Sequence, residues 1–195
     1  MGRSICVYSS SSQNLEQKYY DYADELGKRI GKNGDTLVFG AGSKGLMGAT
    51  ARGAKAFGAK IIGVIPEALN LPGIPYEECD ELTATPDMRS RKKLLDESSD
   101  VLVALPGGFG TLEELLEVIT SKQLGYHAKP IVILNPFGFY DALLEQFEHS
   151  FEQNFANRSY SKLYYVTDDI DDMFRYLDEY TYTAHSAKDK YKHEK

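Results

Sequence analysis

At 195 residues the chain is long enough for one well-buried core and short for two ordinary domains. Its formal charge of −7 argues against a protein that grips a nucleic-acid backbone over a broad surface, although a small anionic ligand can still be held by local positive charge. No apolar run is long enough to span a membrane and the opening residues do not read as a signal peptide, so neither is expected.

Two cysteines, Cys6 in a strand-like run and Cys79 in a loop, make neither a disulfide framework nor a metal-ligand spacing. A reducing, cytoplasmic setting follows as the expectation. The four histidines stand far apart in sequence, and no metal site is expected.

In chain order, residues 5–8 read as a first strand that runs into the hydroxyl-rich turn Ser9, Ser10, Ser11, Ser12. Residues 13–33 carry Leu15, Tyr19, Tyr22, Ala23, Leu26 and Ile30 at helical spacing, and Asn33-Gly34 ends that helix. A second strand, 36–39, meets Gly40-Ala41-Gly42-Ser43-Lys44-Gly45 and a helix over 46–57. The small residues of that helix (Gly48, Ala49, Ala51, Gly53, Ala54) predict close packing against a neighbour. Residues 60–65 are a third strand. From 66 to 86 four prolines and Gly73 break the pattern; only 81–84 looks able to pair as a strand, and the remainder suggests a lid or binding loop. Thr85 and Pro86 then look like the N-cap and first turn of a helix reaching about residue 97.

The centre of the chain is 100–123. Val101 to Leu105 are continuously apolar, as in a central parallel strand. Pro106 stops the strand, and Gly107, Gly108 and Gly110 let the backbone turn into a helix over 111–122. Such a turn aims free backbone N–H groups at one point, where the helix dipole adds partial positive charge, and so predicts a phosphate site. A strand over 130–134, a helix over 140–155, a strand over 163–166 and a helix over 170–180 follow, and 181–195 reads as a polar, frayed tail. Alternating strands and helices predict one α/β domain over 1–180, a doubly wound parallel sheet with helices on both faces, Rossmann-like. The Ser9, Gly40, Thr85 and Gly107 segments all follow strand ends and should share the ligand-binding edge.

Three groups of residues invite chemistry. Gly40 to Gly45 matches G-x-G-x-x-G but follows the second strand, so a tight turn with close packing competes with dinucleotide binding. Arg89, Arg91, Lys92 and Lys93 concentrate positive charge, with Met88, Arg91, Lys92 and Leu95 on one face; this is either a solvated face or a fixed cation beside a site. Glu113 and Glu114 look like first-turn carboxylates, joined by Glu117. One could serve the helix dipole, while two suggest a further role, with Arg91 as the partner of a carboxylate at the phosphate edge. Thr111 could cap the helix or donate to a phosphate. No G-K-[ST] P-loop and no G-x-S-x-G elbow is present.

PGGFGTLEE at 106–114, with MRSRK at 88–92, GAGSKGLMG at 40–48 and EVITSKQLG at 117–125, resembles the LONELY GUY family of cytokinin riboside 5′-monophosphate phosphoribohydrolases, long labelled lysine decarboxylase-like. The resemblance spans about residues 3–180. It implies hydrolysis of the N-glycosidic bond of AMP or an N6-modified AMP, a nucleoside monophosphate as the small-molecule partner, no cofactor, and a homodimer. It makes Arg91 and Glu114 the catalytic pair. Gly108, Gly110 and Thr111 would hold the phosphate, with Gly107 and Phe109 in the same turn, while Lys92, Glu113 and Thr120 would complete the nucleotide site. The chain departs from the family at Ala41, where glycine is usual, and at Ser9–Ser12, where Cys-Gly-Ser-Ser is usual. A non-catalytic nucleotide or cofactor carrier on the same fold is the alternative.

Overall fold

The computed structural model describes residues 2–182. Its strands are β1 (Ser4–Tyr8), β2 (Thr36–Phe39), β3 (Ile61–Pro66), β4 (Glu81–Thr85), β5 (Val101–Ala104), β6 (Ile131–Leu134) and β7 (Tyr165–Thr167). They form one sheet in the order β4-β3-β2-β1-β5-β6-β7, and every pairing is parallel. Between them run α1 (Gln17–Lys32), α2 (Gly45–Ala56), α3 (Met88–Glu97), α4 (Phe109–Gln123), α5 (Asp141–Glu152) and α6 (Ile170–Glu179). The expected α/β doubly wound sheet is what the chain forms.

Alternation along the strands assigns the two faces. Ile5, Val7, Leu37, Phe39, Val101 and Val103 pack with α1, α2 and α6. Cys6, Tyr8, Val38, Leu102, Ala104 and Ile133 pack with α3, α4 and α5. Central strands are buried on both sides, which is why 101–105 reads as unbroken apolar sequence. Burial also pushes the Cys6 thiol up to about 12 and makes it a poor nucleophile. The small residues of α2 do mark a close helix pair. A Cβ at Gly27 of α1 would stand 2.1 Å from the Thr50 carbonyl oxygen, and one at Gly53 of α2 would stand 2.3 Å from that of Asp24.

Several helix starts differ from the expectation, for local reasons. Thr85 is the last residue of β4, not a cap; Asp87 caps α3, its Oδ1 accepting from Ser90 N at 2.8 Å. Helix α1 starts at Gln17 rather than at 13, and the Tyr20 hydroxyl holds the preceding segment by donating to Gln13 O at 2.7 Å. Helix α4 starts at Phe109 with Gly108 as N-cap, so Glu113 and Glu114 lie in its second turn and are not dipole-capping residues. The last strand begins at Tyr165, because 158–163 is a 3-10 helix. Among the described residues no helix is long and apolar enough to cross a membrane. The tail expected from residue 181 falls outside the described residues from 183 onward.

Candidate active site

The strand order reverses between β1 and β5, and the loops leaving these two strands open a crevice at the carboxyl edge of the sheet. The β1 exit is tied to both neighbours. Ser10 N donates to Pro106 O at 3.2 Å, and Ser10 O accepts from Leu46 N at 2.9 Å, the start of α2. The crevice deepens into a cavity of about 580 Å³ lined by Ser9–Ser12, Gly40, Gly42, Arg91, Gly108, Gly110, Thr111, Glu113 and Glu114, among others. The four segments expected to share one edge therefore meet, the Thr85 segment through Met88 and Arg91 of α3.

Two residues of the irregular segment 67–80, Leu69 and Ile74, line this cavity. Ser43 N donates to Ile74 O at 3.0 Å and Tyr76 N to Ala41 O at 2.7 Å, which fastens the irregular segment to the Gly40 turn. Leu69 and Ile74 thereby face the cavity alongside Met47, Ile65 and Met88. Ala41 has a φ of 58°, a conformation costing a non-glycine residue about 1–2 kcal/mol. The glycine usual at this family position has that physical reason.

At the cavity's inner end Arg91 and Glu114 form a buried pair. Arg91 Nη1 donates to Glu114 Oε1 at 2.6 Å, and Arg91 Nε donates to Val64 O at 3.2 Å. Their side chains are only 7% and 6% exposed. The other guanidinium nitrogen lies against Gly40, where an added Cβ would come within 1.9 Å of Nη2. Removing either partner of such a pair costs about 3–5 kcal/mol, because the other is left as an uncompensated buried charge. Burial raises the Glu114 carboxyl above the ordinary glutamate range; Arg91 opposes that rise without cancelling it.

The Pro106–Gly110 turn is built differently on its two sides. Gly107 packs against Thr111, whose Oγ1 would lie 2.1 Å from an added Cβ. At Gly108 and Gly110 an added Cβ would meet nothing within 4 Å. These two glycines face open space at the N-terminus of α4, where free amides and the helix dipole favour an anion. Behind the turn, the buried Tyr140 hydroxyl donates to Leu105 O at 2.6 Å and fixes the end of β5.

Of the residues expected at the site, Arg91, Gly108, Gly110, Thr111, Glu113 and Glu114 come together around one cavity. Lys92 does not line it. Its ammonium is tied to Glu113 and, at 2.6 Å, to Glu117, and it borders a separate cavity of about 190 Å³ between α3 and α4. Phe109 is 91% exposed and Thr120 is exposed; neither lines the 580 Å³ cavity. Sequence reasoning missed Gly40 as the seat of Arg91, Val64 as its carbonyl partner, and Tyr140. The glycine motif signalled the first only as a turn, and nothing local signals the other two.

Comparison with known proteins shows what the chain as a whole is similar to. A family model described as "Possible lysine decarboxylase" matches residues 47–177. A probable cytokinin riboside 5′-monophosphate phosphoribohydrolase of Oryza sativa subsp. japonica is 45% identical over 157 residues, 80% of this chain; the chain spans 63% of that relative's length. A cytokinin riboside 5′-monophosphate phosphoribohydrolase of Arabidopsis thaliana is 39% identical over 178 residues, covering 91% of this chain and 83% of the relative. Among solved structures, the molybdenum cofactor carrier protein of Chlamydomonas reinhardtii superposes with a TM-score of 0.70 at 27% identity, covering 92% of this chain and 98% of the other. Matched by that model over more than half its length and by those curated relatives over most of it, the chain belongs to the LONELY GUY, or lysine decarboxylase-like, family.

Proposed function

We propose that this protein hydrolyses the N-glycosidic bond of AMP or an N6-substituted AMP, giving free base and ribose 5-phosphate. One observation carries the proposal above others: a buried arginine–glutamate pair and an unfilled glycine turn at a helix N-terminus open on the same cavity. The names of the curated relatives support the same chemistry.

The phosphate sits at the amides of Gly108, Gly110 and Thr111, and its binding energy orients the sugar. Breaking the C1′–N bond sends the electron pair to the base and leaves positive charge on the ribose. The Glu114 carboxylate stabilises that charge and takes a proton from the water whose oxygen bonds to C1′; that proton then passes to the departing base, so the water's hydroxyl ends on the sugar and its proton on the base. Arg91 fixes the carboxylate in place. Leu69, Ile74 and Met88 supply an apolar wall for the base and its N6 substituent. This chemistry asks for no metal or cofactor. Lys92 holds α3 to α4 through Glu113 and Glu117 and acts on the site through them.

The exposed apolar side chains on α3 and α4, Met88, Phe109 and Leu116, fit a homodimer in which a second copy covers this face. Thr120, also exposed on α4, reaches a nucleotide only if it serves the partner's site. Two unpaired cysteines fit the cytoplasm.

The proposal is tested by incubating the protein with AMP and with N6-isopentenyladenosine 5′-monophosphate and separating the products. Adenine or its N6-isopentenyl form should appear with ribose 5-phosphate. No base from either, with folded protein, overturns it; tight AMP binding without release favours the carrier reading, to which the fold of the molybdenum cofactor carrier lends weight.

A further inference from the structure

Ser9 is the first residue past β1 and lines the cavity, yet it is only 3% exposed. Its Oγ is buried and meets no hydrogen-bond partner among the described residues. The hydroxyl of the next residue is engaged: Ser10 Oγ accepts from Ser12 N at 3.1 Å. A buried hydroxyl without a partner lowers stability, because it has given up water for nothing. The apolar alternative, alanine, would remove that cost. A serine here has to be explained by something that satisfies the hydroxyl part of the time.

Its neighbours identify what that is. Tyr8 pairs in register with Ala104, so Ser9 lies beside the end of β5. The next residue donates to Pro106 O, the first residue of the turn whose Gly108 and Gly110 face empty space. The orphan hydroxyl and the open amide cluster thus adjoin the same corner of the cavity, at the N-terminus of a 15-residue helix.

We propose that Ser9 is a binding residue for the phosphate group of the ligand. A step of about 120° between χ1 rotamers turns its hydroxyl to the cavity. There it donates a hydrogen bond to a phosphate oxygen, beside the amides of Gly108 and Gly110. The energetic logic is a stored imperfection: the empty site carries an unsatisfied donor that the anion satisfies on binding. This deepens the proposed function, since the phosphate at that turn belongs to it. It adds a donor that the cysteine usual at this family position supplies only weakly.

The test uses the full chain and calorimetric titration with AMP, ribose 5-phosphate and adenosine, together with the thermal midpoint of the empty protein. Ser9→Ala should raise that midpoint while weakening AMP and ribose 5-phosphate about tenfold, the effect of one lost hydrogen bond to an anion. Adenosine, which lacks the phosphate, should bind the variant as it binds the parent. Ser9→Cys, close in volume and a poor donor, should follow alanine in binding and guards against a packing effect.

Unchanged AMP affinity in both variants, or equal losses for AMP and adenosine, overturns the assignment. A lower midpoint with unchanged affinity marks the hydroxyl as structural and overturns it too. A parent protein that binds ribose 5-phosphate but releases no base refutes the hydrolytic function and, given the tenfold loss, still supports Ser9. A parent that binds no phosphate ligand overturns both.

Discussion

The two glycine turns at the carboxyl edge look alike in sequence and do opposite things. The Gly40–Gly45 turn is the better match to a dinucleotide fingerprint, but the protein fills its glycines itself: Arg91 lies against Gly40, Met47 against Gly42, and the Ser43 carbonyl against Gly48 just beyond. The Gly107–Gly110 turn matches no general fingerprint as closely, yet Gly108 and Gly110 are left facing empty space. A missing side chain makes room for whatever comes next. In the first turn that is the guanidinium that holds Glu114, and in the second, on the proposed function, it is the phosphate of the ligand.

This difference predicts that equal substitutions will have unequal effects. The largest is expected for Gly40→Ala, because the new methyl displaces Arg91 Nη2 and with it Glu114. A displacement of that order in a positioned group costs about 10²-fold in rate. The loss should fall on kcat, with KM for AMP little changed, in steady-state base-release assays.

Gly108→Ala should do the reverse. Its φ of −89° is open to alanine and no atom is in the way, so folding should survive with stability altered by about 0.5 kcal/mol or less. KM for AMP should rise about tenfold as the methyl enters the phosphate's space. If the two variants show the same kcat and KM pattern, the division between a turn that seats the catalyst and a turn that seats the ligand is wrong.

The smallest effect concerns pH. Burial holds the Glu114 carboxyl above its ordinary value of 4.5, and the ionised form is the one that stabilises the sugar's charge. Lowering the pH protonates it, so kcat/KM should fall on the acid side with a midpoint above 4.5. An acid limb centred at or below that value would place Glu114 in an ordinary solvated setting.

Much of this was legible in the sequence. Unbroken apolar runs named the central strands because a parallel sheet covered on both faces leaves them nothing polar to show. The pairing of Arg91 with Glu114 was also within reach, since each sits on a recognisable helix and a carboxylate at a phosphate edge needs a cation. Helix starts were less legible, because Thr85 and Asp87 compete locally to cap α3 and the ladder to β3 decides against Thr85. What Gly40 makes room for was not legible at all. A glycine reports that space is needed, and only the fold reveals that the side chain filling it comes from α3. Lys92, which the resemblance assigns to the nucleotide site, meets anions of the protein itself, Glu113 and Glu117 of α4, and no local signal in the sequence announces that pairing.

Glu114→Gln tests most directly whether chemistry resides at Glu114 while the glycine turn supplies the anchor. The substitution keeps the side chain's size and an oxygen able to accept from Arg91. Measured together, AMP affinity should stay within about threefold of the parent, whereas base release should fall by about 10³-fold, the scale of a lost general base. Base release near the parent's rate would contradict the account and reduce Glu114 to a buried structural partner of Arg91.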